Sequence, residues 1–342
     1  MAAFSKQSFR SKGEIFMYKR VAELIRFGHS PILFTAIEGP LIGKMAVKDG
    51  DHEFGTRSLI QEYAESELPA IKNGILMEHI ATPPHLVLCG AGHVSVCTAK
   101  IAKMIGFRVT IIDDRVEFAN RDRFPDADEI INMPFSDALK TVSGTNTYYV
   151  IVTRGHINDR LCLETILHQP FSYCGMIGSK TKIKTVFETL RSAGYRDDLL
   201  SRVHSPIGLE IGAETPEEIA VCIVGEMIQV KNGSGRCTEW DKQLVNTVET
   251  MIEPYAMVTL IEKHGSAPRS TGARMIVKTD GSIISSIGGG FGEFEAAERA
   301  KEMLTHGPHV KRYTCKMNNQ DAAEKGMICG GSIDILIQIV EG

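Results

Sequence analysis

The residues in this sequence best suited to chemistry gather around glycine-rich turns that lie between strand-like and helix-like patterns. Gly90-Ala91-Gly92-His93-Val94-Ser95 follows the continuous apolar run His85–Cys89 and precedes a helical pattern that lasts to Ile105. Glycines in that context let backbone N–H groups approach a phosphate at a helix N-terminus, where the helix dipole favours an anion. Gly90, Gly92 and His93 are therefore candidate ligand contacts, although Ser95 stands where a third glycine is usual. Asp113 lies 23 residues after Gly90, at the end of the next strand pattern, where an acid can meet a ribose hydroxyl. The competing reading is a domain that keeps the turn and binds no dinucleotide. Thr153-Arg154-Gly155-His156 ends a further apolar strand, with Asp159 three residues on. Arg154 and His156 can touch a ligand, His156 can carry a proton, and Asp159 can equally be a helix cap. Gly178-Ser179-Lys180 repeats the strand-to-helix turn, either to hold a phosphate or simply to start a helix.

A second group lies further along. Gly265–Gly272 is a loop between two strand patterns and carries Ser266 and Arg269. Gly288-Gly289-Gly290 runs from a strand into a helix that contains Glu293. Three consecutive glycines cost conformational entropy, so bare backbone must be needed there, for a ligand phosphate or for tight packing. Cys329, before the last strand, is either a small core residue or a thiol beside the ligand.

The elements that must position these residues fall into three segments. Residues 83–234 alternate short apolar strands with helices, which predicts a doubly wound, Rossmann-like parallel sheet. Residues 235–342 predict a smaller α+β domain, with a helix near Trp240–Ile252 and a last strand at Ile333–Val340. Residues 1–82 predict a degenerate copy of it. Ser30–Glu38 resembles Tyr255–Glu262, and Gly43–Gly50 resembles Ala273–Gly281, but nothing in the first segment matches Arg269 or the triple glycine. Lys231-Asn232-Gly233-Ser234-Gly235 has the composition of a linker.

Composition narrows the class. The net charge of -4 argues against a nucleic-acid partner. No apolar run reaches the length of a membrane span, and the basic start of the chain lacks the apolar core of a secretory signal. The 8 cysteines contain no C-x-x-C pair, so reduced, mostly buried thiols in a cytoplasmic protein are expected, with no metal site.

GAGHVS, TIIDDR, TRGH, GMIGSKTK, SPIGLEIGAETPEEIA, GSAPRSTGARM, SIGGG and CGGSIDIL together resemble the XdhC/CoxI family along most of the chain. The resemblance implies an accessory protein, not a catalyst, that binds the molybdenum cofactor as cargo. Such a protein supports sulfuration of the cofactor, with a cysteine desulfurase as partner, and delivers it to a xanthine-dehydrogenase-type molybdenum hydroxylase. A homodimer is also expected. Two departures stand out: the complete GSAPR/GGG segment comes last rather than first, and Phe291 follows the glycines where the family commonly has cysteine. The alternatives are an NAD(P)-dependent oxidoreductase using His156 as acid–base group, and a sensor of NAD(P) or another nucleotide.

Overall fold

The structure, a computed structural model, describes residues 13–62, 68–142, 144, 146–233, 237–265, 270–317 and 331–341. The chain divides into two units, one made of Met1–Ala81 with Arg236–Gly342 and the other of Thr82–Gly235. The segments 1–82 and 235–342, read separately from the sequence, thus share one unit.

In chain order the first unit begins with α1 (Gly13–Arg26), β1 (Ile32–Ala36), β2 (Met45–Asp49), β3 (His52–Gly55), β4 (Ala70–Lys72) and β5 (Ile75–Ala81). The second unit then runs β6 (His85–Cys89), α2 (His93–Met104), β7 (Arg108–Ile112), β8 (Glu129–Ile131), α3 (Phe135–Thr141), β9 (Thr147–Ile151) and α4 (His156–Ile166). It continues through β10 (Tyr173–Met176), α5 (Lys180–Ser192), α6 (Asp197–Leu200), β11 (Val203–His204) and α7 (Pro216–Gly233). Its sheet has the order β11-β10-β9-β6-β7-β8 and every pairing is parallel. The order reverses between β6 and β9, so their carboxyl ends open a crevice of the kind that takes ligands in such sheets.

Strand β6 is apolar at successive positions because both its faces are covered. Val87 and Cys89 join a cluster built with α3, α4 and α5, while Leu86 and Leu88 join one built with α2 and α7. Helix α7 starts as its sequence directs. Pro216 opens it, Glu218 N donates to Thr215 Oγ1, and the Glu218 carboxylate accepts from the N–H groups of Glu214 and Thr215. It also runs on through Gly233, so Lys231-Asn232-Gly233 is helical and not a linker. Met227 and Val230, just before this turn, pack on the core, and that packing outweighs the low helix propensity of Asn and Gly.

The first unit resumes with β12 (Thr238–Glu239), α8 (Lys242–Thr250), β13 (Tyr255–Gly265), β14 (Arg274–Lys278), β15 (Ile283–Ser285), α9 (Gly290–His306), β16 (Val310–Met317) and β17 (Gly331–Val340). One sheet has the order β12-β5-β1-β2-β3 with β4 on β5; the other is β15-β14-β13-β17-β16. The runs β5-β1-β2-β3 and β17-β13-β14-β15 are antiparallel throughout and share one order, and a helix, α1 or α8, precedes each first strand. Leu33, Met45 and Val47 share a core with Met257, Ile276, Val340, α1 and α8. The other face of the second sheet is closed by Ala296, Ala297, Ala300 and Met303 of α9. Strand β16 does not stand out in the sequence because it is an edge strand, paired with β17 alone; Cys315 is fully buried while Lys311 and Thr314 face solvent. Among the described residues, no helix is long and apolar enough to cross a membrane.

One buried ion pair crosses this unit. Arg274 on β14 donates from Nη1 and Nη2 to Glu78 on β5 at 3.0 and 2.6 Å, and both side chains are at most 1% exposed. Removing one partner strands the other charge. Arg274→Ala should therefore cost about 3–5 kcal/mol, whereas Glu78→Leu with Arg274→Met should lose far less. The fluorescence of Trp240, the single tryptophan, reads this directly in a urea titration, because the Arg274 guanidinium lies 5.3 Å from its ring centroid.

The second unit carries a pH dependence of definite sign. His85 is buried with Nε2 2.8 Å from Thr110 Oγ1. Burial, reinforced by Arg108 and opposed by Asp128, lowers its pKa from 6.5 to about 4. Between those values the unfolded chain binds a proton that the folded unit does not, so stability falls as pH falls through this window, by roughly 3 kcal/mol in all. Amide exchange in β6 and β9, compared between wild type and His85→Gln from pH 7 to 4, should show a flatter slope in the variant.

Candidate functional site

In the second unit the candidate residues collect at the carboxyl edge of the parallel sheet. Gly90 follows β6 with φ +112°, and a Cβ there would lie 2.5 Å from the Val152 carbonyl oxygen, so the close approach of β6 and β9 requires glycine. Gly92 is the N-cap of α2, and exposed His93 is its first residue. Ser95 substitutes for the usual third glycine by donating from Oγ to the Gly90 carbonyl at 2.6 Å, which keeps the turn closed. Asp113 lies at the end of β7, beside this turn, but its carboxylate is already engaged. Ala91 N donates to Oδ2 at 2.9 Å, and Arg115 donates from N and Nε to Oδ1 and from Nη2 to Oδ2 at 3.1, 2.8 and 2.8 Å. Burial works to raise the pKa of this carboxyl, yet the bonds from Arg115 and Ala91 prevail and hold it below the ordinary range.

Past β9, Arg154 is exposed and His156 opens α4; the His156 side chain lies outside the described positions. Asp159 does not cap the helix. It is wholly buried, accepts from Thr153 Oγ1 at 2.6 Å, and pairs with Lys182 of α5. Ser179 is the N-cap of α5 and its Oγ accepts from Lys182 N at 3.3 Å; Gly178 precedes it. Arg115, Arg123 and Lys182 do not stand out in the sequence. Basic residues are common, and only the fold shows which ones reach a glycine turn or a buried carboxylate.

The SPIGLEIGAETPEEIA stretch is held at its start by a carboxylate of α7. Glu226 accepts from Tyr173 Oη, His204 Nδ1 and Gly208 N, tying residues 204–208 and β10 to α7.

In the first unit Gly288, Gly289 and Gly290 have φ of +137°, +73° and +70°, a conformation only glycine adopts readily three times running. The turn is shaped as an anion seat, and the chain itself fills it. Glu293 Oε2 accepts from Ser286 Oγ at 2.5 Å and from the N–H groups of Ile287, Gly288 and Gly289 at 2.9, 3.2 and 3.0 Å. Burial tends to raise this carboxyl, while the bonds from Ser286 and the three backbone donors hold it below its usual range. Beyond the turn, a Cβ on Gly289 or Gly290 would meet nothing within 4 Å. Glu293 is thus placed with the glycines, as an occupant of the seat. Ser266, Arg269 and Cys329 lie outside the described residues. At the end of β13, Glu262 and His264 approach Asp334 with potential ligand atoms within 4.8 Å, but Asp334 is held by Arg312 at 2.7 Å and Thr314 at 2.7 Å.

Comparison with known proteins gives two family matches, one per unit. Residues 86–227 match the XdhC Rossmann domain, and residues 252–314 match the XdhC and CoxI family. The chain is 33% identical over 152 residues to the protein YqeB of Escherichia coli (strain K12). It is 31% identical over 158 residues to a probable xanthine dehydrogenase subunit of Bacillus subtilis (strain 168). These alignments span 44% and 46% of this chain but only 28% and 46% of those relatives. A crystal structure described as a xanthine dehydrogenase from Bacillus halodurans superposes with a TM-score of 0.52 over 63% of this chain and 66% of that one, at 24% identity, which is a likeness of fold.

The geometry of the glycine seat makes a stability prediction. Glu293→Ala leaves three backbone donors without their carboxylate and should cost about 1.5–3 kcal/mol. Because the folded pKa is depressed, the wild-type contribution is complete above the ordinary value of 4.5 and disappears as pH falls through the lower folded value. Urea unfolding of the two proteins, followed at Trp240, should therefore differ at pH 7 and converge in acid.

Proposed function

Since the chain belongs to the XdhC and CoxI family, we propose that it is an accessory protein of a xanthine-dehydrogenase-type molybdenum hydroxylase, holding the molybdenum cofactor during maturation and insertion. The relationship to a probable xanthine dehydrogenase subunit supports the client. The observation that carries the cargo reading is the triple-glycine turn at the head of α9, an anion seat with open space beside Gly289 and Gly290. The terminal phosphate of a pterin cofactor needs backbone N–H donors and a helix N-terminus, and this turn offers both once the Glu293 carboxylate withdraws. Arg269, four residues into the preceding Gly265–Gly272 stretch, is the candidate cation for the same phosphate. A cysteine desulfurase as sulfur source and a homodimeric assembly belong to the same proposal, as does a supporting rather than ligand-binding role for residues 1–82.

A second activity is favoured by the Gly90–Ser95 turn at the reversal point of the parallel sheet, which suits a nucleotide phosphate at the head of α2. We read this unit as a nucleotide-binding partner of the cargo site. An NAD(P)-dependent oxidoreductase using His156, or a pure nucleotide sensor, would use the same turn and leave the triple glycine without a task.

The cofactor reading is tested by the pterin and molybdenum retained per protein purified from molybdenum-replete cells. Wild type should retain cofactor, and Arg269→Ala should bind it about ten- to a hundredfold more weakly, the worth of one charge-assisted contact. Equal occupancy would remove Arg269 from the site. Absence of cofactor from wild type, even after reconstitution, would overturn the delivery function.

A further inference from the structure

We propose that the nucleotide taken by the second unit carries a phosphate on its ribose, and that Arg115 and Arg123 select for it. The inference rests on the reading of the Gly90–Ser95 turn as a nucleotide site and names the class of ligand. In a sheet of this kind the acid at the end of the second strand accepts hydrogen bonds from an unmodified ribose diol. Asp113 stands at that place, yet it receives four hydrogen bonds from Ala91 and Arg115, and its side chain is 1% exposed. A carboxylate has about four lone-pair positions, so no acceptor is left for a diol.

What lies beside the turn instead is cationic. The Arg115 side chain is 20% exposed, and its guanidinium lies 3.9 Å from the centroid of the Phe118 ring. Arg123 approaches the same ring at 5.2 Å, and its Nη2 donates to the carbonyl of Ala91, within the glycine turn, at 3.2 Å. The two cations therefore share one aromatic platform beside the turn. Arg123 Nε is buried without a hydrogen-bond partner, and among the described residues no carboxylate forms an ion pair with Arg123. The Arg123 charge, anchored to the glycine turn through Nη2, is one that a ligand anion at that turn would neutralise. Exposed Asp114 and Glu117 also act on Arg115, through solvent that screens them. A phosphate on the 2′ or 3′ oxygen would meet Arg123, and Arg115 on the face turned away from Asp113. A diol would find donors for its oxygens there but no acceptor for its hydroxyl protons, and no charge to match the two guanidiniums.

Titration calorimetry on the full chain, stripped of bound ligand, tests this with ADP, 2′,5′-ADP and 3′,5′-ADP. One of the two ribose-phosphorylated compounds should bind about ten- to a hundredfold more tightly than ADP, and which one does so identifies the phosphorylated position. Arg123→Gln, which leaves the Asp113–Arg115 pair intact, should abolish that preference with little change in ADP affinity. Arg115→Ala should go further and favour ADP, because Asp113 becomes free to accept from the diol. Equal affinities for all three in wild type, or an unchanged preference in folded Arg123→Gln, would overturn the selectivity while leaving the nucleotide site standing. No heat with any of the three would overturn the nucleotide reading and this inference with it.

Discussion

Arg274 and Glu78 sit where water cannot reach, and burying two opposite charges carries a desolvation cost that only close geometry offsets. The chain builds that geometry with some care. Gly272, at φ +91°, brings its carbonyl oxygen within 2.8 Å of Arg274 Nη1, and a Cβ at that position would lie 2.2 Å from Glu78 Oε1. Trp240 covers the guanidinium from one side. Not far along the same pair of sheets, Gln338 of β17 donates to the Gly43 carbonyl at 2.9 Å and accepts from Tyr18 Oη at 2.6 Å. Both contacts join the first segment of the chain to the last. Apolar packing of Leu33, Met257 and their neighbours would tolerate several sliding arrangements of two sheets. These polar contacts fix one, and the Glu293 turn hangs from the sheet so fixed.

A common device appears in both units. The turns at Gly90–Ser95 and Gly288–Gly290 are each met by a carboxylate of the chain, Asp113 at Ala91 and Glu293 at Ile287–Gly289. The carboxylates hold these donors in fixed directions, so an anion taken up there would find them already ordered. Their disposition differs. Asp113 is locked by the Arg115 guanidinium and stays, whereas Glu293 is held by one hydroxyl and three backbone N–H groups and sits on the first turn of a helix.

Much of this was legible beforehand where a local rule acts. The uninterrupted apolar run of β6, the Thr215-Pro216-Glu217-Glu218 helix start and the strand–glycine–helix turn at Gly90 all follow from short-range chemistry, and the parallel sheet follows from their alternation. What stayed hidden depends on residues far apart in sequence. Nothing local marks Glu78 as the partner of Arg274, 196 residues away, or Arg123 as a neighbour of Ala91. The role of Glu293 was hidden for another reason. Glycines leading into a helix that carries an acid read as a ligand cradle, and only the fold reveals the carboxylate turned back onto the donors. Strand β16 was concealed by its edge position, which leaves its sequence mostly polar.

The order of the two units along the chain has a consequence for biosynthesis. Residues 82–235 interrupt the first unit, and they can close their own sheet as soon as they leave the ribosome. The first segment cannot. Strand β1 and helix α1 share their core with Val340, and Tyr18 waits for Gln338, so a nascent chain holds an unmatched apolar surface for more than two hundred residues of elongation. Strand β17 is the last of these elements to emerge, and it is also the one flanked by β13 and β16. Premature termination even shortly before it would release a chain whose second unit is finished and whose first unit lacks the strand that joins β13 to β16, a natural substrate for chaperones and proteases.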